Sequence, residues 1–86
     1  MIGLRKISGK SMEPTFAQGD FVIVQKFCFK PRVNNIIIAK TVDGEVIKRI
    51  KKIKEKVYYL KGDNSNSAEY TINKKQIMGK IIKKIK

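Results

Sequence analysis

Two features bear on chemistry before any fold is considered: a serine set just after a glycine turn, and the lack of histidine. Ser11 follows Ser8-Gly9-Lys10 and opens the segment Ser11-Met12-Glu13-Pro14. Gly9 lets backbone come close to a substrate. A serine at the start of a helical turn is well placed for attack, and the amide N–H groups there point outward, where they can hold an oxyanion. The plainer reading of such a serine is a helix N-cap, so the segment does not define a site by itself. The chain contains no histidine, which excludes Ser-His-Asp and Cys-His catalysis within it. The same absence leaves no cluster of soft metal ligands, and neither a metal nor a cofactor is expected. A hydrolase built from this chain must use a different base.

Those residues need a scaffold, and the sequence predicts a strand-rich one. The chain has 86 residues, which suggests a single domain over 1–86 with a modest core. Residues 2–7 read as a first strand leading into the Ser8-Gly9-Lys10 turn. Ser11 to Pro14 reads as one short helical turn with Pro14 in it. Gly19-Asp20 turns into a β-rich run from Phe21 to Phe27, and Asn34-Asn35 turns into Ile36–Lys40. Asp43-Gly44 is the best hairpin signal, flanked by Ile36–Lys40 and Val46–Ile53. Lys54-Glu55-Lys56 turns the ribbon back into Val57–Leu60. A polar loop, 62–67, follows, and Gly79 precedes a last strand from Lys80 to Ile85. The expected fold is all-β, of mainly antiparallel, coiled and partly closed barrel-like sheets, with one short helical turn at Ser11. Cys28, between Phe27 and Phe29, cannot form an intramolecular disulfide and reads as a small buried hydrophobe.

Charge is the other strong signal. Lys and Arg number 20 against 7 acids, a net of +13. Residues 1–44 carry a net +4 and residues 45–86 a net +9. Such a field favours anionic partners, either nucleic acid or a membrane surface, although a solvated lysine-rich surface is the simpler reading. No apolar run approaches the ~20 residues needed to span a bilayer, and no signal peptide is evident. The chain is expected to be soluble, cytoplasmic or peripheral to a membrane.

The motif Ser11-Met12-Glu13-Pro14-Thr15, followed by Gly19-Asp20, resembles the nucleophile segment of the Ser-Lys peptidases, the S24/S26-like superfamily of type I signal peptidases and LexA-type repressor peptidases. In that family a Ser-Met dipeptide, often followed by x-Pro-Thr, carries the nucleophile, and a Gly-Asp pair opens the next strand. Glu45-Val46-Ile47-Lys48-Arg49-Ile50 is similar to the strand that bears the catalytic lysine. Gly62-Asp63-Asn64 with Ser67-Ala68-Glu69 resembles the signal peptidase motif that buttresses that lysine, and Met78 to Ile82 resembles the strand that closes the fold. The likeness spans residues 7–85. It implies Ser11 as nucleophile and Lys48 as general base, with Ser8, Gly9, Met12 and Ser67 as oxyanion or supporting residues. The Ser11 N–H is a firmer oxyanion donor than Ser8, because Ser8 stands three residues before Ser11 and signal peptidases place that serine two before. This spacing is closer to LexA-type and nickel superoxide dismutase maturation peptidases. Glu69 and Tyr70 depart from the signal peptidase pattern of Asp and Ser.

A lysine is a base at neutral pH only if its pKa is lowered from ~10.4, by burial or nearby positive charge. Strand alternation sends Arg49 and Lys51 to the face opposite Lys48 and puts Lys52 on the same face, as a fallback base. The resemblance implies an endopeptidase acting on an extended segment of a polypeptide substrate, bound along a sheet edge. With ten residues before Ser11, a cleavable upstream linker is not expected. A signal-peptidase-like or maturation peptidase is the leading expectation. The alternatives are a non-catalytic basic module of the same fold that contacts nucleic acid or anionic membrane, and the C-terminal domain of a LexA-type repressor.

Overall fold

The computed structural model describes residues 2–26 and 29–85. The expectations for Cys28 and for the end of the Phe21–Phe27 run lie outside the described residues. Seven strands form one sheet: β1 (Ile2–Lys6), β2 (Phe21–Gln25), β3 (Ile36–Thr41), β4 (Gly44–Lys54), β5 (Val57–Lys61), β6 (Glu69–Asn73) and β7 (Ile77–Lys84). Their order is β1-β2-β7-β3-β4-β5-β6, with every neighbouring pair antiparallel. The sheet coils but stays open, with β1 and β6 at its edges, so the expected partial closure is not made by strand pairing. Register shifts in the β2–β7, β3–β7 and β4–β5 pairs supply local twist.

The Ser11 segment forms hydrogen-bonded turns in place of the expected helical turn, with Glu13 N–H donating to Lys10 C=O at 3.1 Å and Phe16 N–H to Met12 C=O at 3.0 Å. It does not extend into a helix. Pro14 disfavours the α conformation at Glu13, and the Glu13–Pro14 bond is cis. Among the described residues the one helical element is a 3₁₀ turn, Lys74–Gln76.

Two apolar clusters lie on opposite faces of the sheet, as the adjacent residues Ile37 and Ile38 illustrate. Ile38 packs with Val22, Val24 and Ile81 under Ile7, Met12 and Phe16 from the Ser11 segment. Ile37 packs with Ala39, Ile50, Tyr58, Leu60 and Ile72. Tyr58 and Tyr59 divide between core and surface, at 8 % and 37 % exposed.

Two local expectations are corrected. The final strand starts at Ile77 rather than after Gly79, which lies within it. A Cβ on Gly79 would sit 2.6 Å from Val24 Cγ1, so glycine is there for strand packing and not as a break. A strand also forms at Glu69–Asn73, where the sequence predicts no element. The expected Asp43-Gly44 hairpin is present, with Thr41 paired with Gly44 and φ of 94° at Gly44. The turn with two positive-φ residues is Glu55-Lys56, at 50° and 68°.

Candidate active site

The Ser11 segment is anchored by its own apolar residues and closed by its own backbone. Ile7, Met12 and Phe16 are buried in the first core. Met12 is therefore a core anchor beneath Ser11. Ile7 N–H donates to Asp20 C=O at 2.7 Å, and Gly19 N–H donates back to Ile7 C=O at 2.8 Å. The Gly19-Asp20 pair thus fastens the loop at its base, with φ of 94° at Gly19. Gly9 takes φ of 80°, in open space, and lets the chain reverse before Ser11.

The polar loop 62–67 holds the segment from the other side. Asn64 N–H donates to Ser11 C=O at 2.8 Å, and Asn64 Nδ2 donates to Lys10 C=O at 3.1 Å. Gly62 lies so close that a Cβ there would be 2.2 Å from the Ser11 carbonyl oxygen and 2.8 Å from Ser67 Oγ. Asp63 accepts two hydrogen bonds from Arg49, at 2.8 Å each, and one from Thr15 Oγ1. The pair lowers the Asp63 pKa, first through the Arg49 hydrogen bond, and raises that of Arg49. Asp63 thus buttresses Arg49 and the Ser11 segment; the direct support of Lys48 that the motif implied is not made by this carboxylate.

β4 carries Lys48 past this place with its side chain on the other face of the sheet: Lys48 pairs with Ile37 of the second cluster, whereas Ile47 pairs with Ile38 of the first, on the side of the Ser11 cavity. Residues 45–48 of β4 pair with β3 alone, because pairing with β5 begins at Arg49 opposite Lys61. Ser11 borders that stretch, sharing a cavity of about 170 Å³ with Ser8, Met12, Ile38, Glu45 and Ile47. Arg5 of β1 forms an ion pair with Glu45 at the same cavity. Ser8 lines both this cavity and a second, open one with Lys6, Ile7, Gln18 and Gly19.

Lys48 is 5 % exposed and carries the one buried charged side chain among the described residues. Its Nζ stands 5.6 Å from the centre of the Tyr70 ring. Burial pushes its pKa down, and the positive charge of Lys61 adds to the effect. Lys61 Nζ itself donates to the carbonyls of Ser65 and Ser67, at 3.3 and 3.2 Å. Tyr70 is held by a 2.7 Å hydrogen bond to Asp43, which raises its own pKa. Among the described residues no hydrogen bond joins Ser11 to Lys48, and none engages the Ser11 N–H. Ser67 Oγ is buried next to Gly62 and also lacks a partner.

The fallback base is corrected. Lys52 does not share the face of Lys48. A bulge at Lys51 breaks the alternation, so Ile50 pairs with buried Leu60 while Lys52 pairs with exposed Tyr59. Lys52 is exposed, with Nζ 5.3 Å from the Tyr59 ring centre. Glu69 is also exposed, on edge strand β6. The residues that sequence reasoning passed over are Tyr70, Lys61 and Thr15. Lys61 stands one residue beyond the expected strand Val57–Leu60, and Tyr70 lies on β6, which the sequence does not predict.

The fold is thus an open antiparallel sheet in which a serine turn and a lysine-bearing strand border one cavity. The chain matches the Peptidase S24-like family over residues 2–82 and belongs to that family. No curated protein and no solved structure matches it significantly. No helix among the described residues is long and apolar enough to cross a membrane.

Proposed function

We propose that this chain is a serine endopeptidase in which Ser11 is the nucleophile and Lys48 the general base. The observation that carries the reading is a buried lysine with lowered basicity and no acidic partner, on the stretch of β4 that the Ser11 turn borders. A lysine kept in such surroundings costs stability and is most simply explained by use as a neutral amine. An extended peptide adds along the free edge of β4 at residues 45–48. Its side chain beside the cut enters the cavity over Ile7, Met12, Ile38 and Ile47, whose size favours a small aliphatic group. For the dyad to form, the Lys48 side chain must pass round the unpaired edge of β4 from the Tyr70 face to the Ser11 face. Ser11 Oγ then attacks the scissile carbonyl carbon while its proton passes to Lys48 Nζ. The unengaged Ser11 N–H donates to the oxyanion. The ammonium returns the proton to the leaving amine as the C–N bond breaks, and water, deprotonated by the same lysine, hydrolyses the acyl-enzyme.

The test is cleavage of a diverse peptide library read by mass spectrometry, beside Ser11→Ala and Lys48→Ala. Cleavage abolished by both substitutions supports the dyad. Cleavage that survives Ser11→Ala refutes it. The lack of a Ser11–Lys48 hydrogen bond favours a second reading, a non-catalytic basic module of the same fold. Inertness towards every peptide, with the fold intact, is its expected result.

A further inference from the structure

The outer face of β1–β2–β7 carries a feature that peptide cleavage does not use. By alternation and register, Ile2, Leu4 and Lys6 of β1 stand on one face with Phe21 and Ile23 of β2, paired Leu4 with Ile23 and Lys6 with Phe21. Ile2 is 69 % and Leu4 58 % exposed, and Phe21 is exposed as well. Lys83 of β7 lies opposite Ile23, and Lys80 opposite Gln25. Lys6 Nζ stands 6.0 Å from the Phe21 ring centre. Asp20, at the start of β2, is taken up by Lys84 at 3.6 Å and by the Ala17 N–H. The result is an aliphatic and aromatic strip with unneutralised lysines around it.

We infer that this face docks on an anionic lipid bilayer, with the apolar strip at the headgroup boundary and the lysines against acidic headgroups. Contiguous exposed apolar side chains mark an interaction surface. A rim of lysines beside them is the chemistry of interfacial binding to anionic lipid. A second copy of the chain is disfavoured as occupant, because it would set Lys6, Lys80 and Lys83 against their own counterparts in a protein of net charge +13. Nucleic acid would use the lysines but not Ile2 and Leu4, which offer no ring for a base to stack on. The inference does not depend on Ser11, and the Ser11→Ala protein serves equally for its test.

The test is co-sedimentation with vesicles of phosphatidylcholine alone or mixed with phosphatidylserine. Binding is expected with phosphatidylserine and not without it, and to weaken with salt. Lys83→Ala is expected to weaken it about fivefold, and Leu4→Ser or Ile2→Ser roughly fivefold or more. Val42→Ser and Lys56→Ala, away from this face, are expected to leave it unchanged, and thermal melts establish that each variant is folded. Equal binding to both vesicles, no loss in the face variants, or equal loss in the remote ones would overturn the inference. So would a solution dimer that Leu4→Ser dissociates, or tighter binding to duplex DNA that Lys83→Ala weakens and Leu4→Ser does not.

Discussion

Gly62→Ala separates positioning of the Ser11 turn from stability of the sheet. Gly62 does not adopt a left-handed φ, so alanine fits its backbone, and the effect is decided by space. The added carbon would lie 2.2 Å from the Ser11 carbonyl oxygen and 2.9 Å from its carbon. Both are backbone atoms, so one of the two segments must move by about 0.8 Å or more to bring the closer contact to 3.0 Å. Overpacking of this kind costs about 1–3 kcal/mol, and displacing the Ser11 carbonyl weakens the Asn64 hydrogen bond, about 0.5–1.5 kcal/mol. Reduced freedom of the unfolded chain offsets about 0.4–1 kcal/mol. The net expectation is a loss of about 1–3 kcal/mol, or about 4–8 °C in Tm for each kcal/mol. A nucleophile misplaced by about 1 Å loses on the order of 10²-fold in kcat/KM.

Gly79→Ala is the control. Its Cβ would meet Val24 Cγ1 at 2.6 Å, a stiff, buried side chain under the sheet. A comparable loss of stability is expected there, with kcat/KM per folded molecule near that of the parent. The assay pairs urea denaturation with peptide cleavage well below each melting temperature. A Gly62→Ala protein with parental stability and parental kcat/KM would refute the reasoning, as would equal losses of activity in the two variants.

The pH dependence of cleavage follows from Lys48. Its neutral form is the base, so the rate is expected to rise with pH through a pKa below the ordinary 10.5, and Lys61→Gln, by removing the neighbouring charge, to move that limb to higher pH. A pH profile unchanged in Lys61→Gln would count against Lys48 as the titrating group. For stability the sign is set by the same shift: the folded state releases the Lys48 proton before the unfolded state does, so stability falls as pH drops from 10.5 through the folded pKa, and the penalty is complete below it. Lys48→Met is expected to remove that penalty and stabilise by about 1 kcal/mol or more while abolishing cleavage, read by urea denaturation at neutral pH. Lys56→Gly is expected to stabilise by about 1 kcal/mol, because Lys56 takes φ of 68° in the β4–β5 turn; an unchanged or lowered melting temperature would contradict it.

Much of the scaffold was legible because its signals are local. Gly44, Gly19 and Gly9 take the positive φ that a side chain resists, and each marks a turn the sequence reading placed. The errors arise where a longer-range contact decides. Gly79 looks like punctuation until Val24 of another strand is found in the space its side chain would fill. Lys52 follows perfect alternation on paper, and one extra residue at Lys51, with no glycine to announce it, turns it to solvent. β6 contains a single buried residue, Ile72, too little for a period-2 pattern, and forms because β5 offers an edge to pair with.

The candidate site fails to be fully legible for a related reason. Ser11 and Lys48 could be picked out as residues, but not the device that brings their segments together. That device is the end of β5. Lys61 is its last residue, and the chain then leaves the sheet at Gly62, so Glu45 to Lys48 keep a free edge. The Ser11 turn borders that stretch and is held by Asn64 to loop 62–67, which the Asp63–Arg49 pair fastens to β4. A strand that ran one residue further would pair Gly62 with Lys48. The length of β5 therefore governs access to the lysine as much as the lysine's identity does. Asp63, two residues beyond the end of β5, pairs with Arg49 and Thr15 rather than with Lys48. Asp63→Asn should accordingly loosen Arg49 and the Ser11 turn together. The bidentate, charge-assisted pair contributes about 1.5–3 kcal/mol. In the parent the contribution should disappear as pH falls below the ordinary carboxylate pKa of 3.8 towards the lowered folded value, and the variant should lack that acid transition. Denaturation curves of the two proteins that stay parallel down through that range would show that the Asp63–Arg49 pair does not hold the turn.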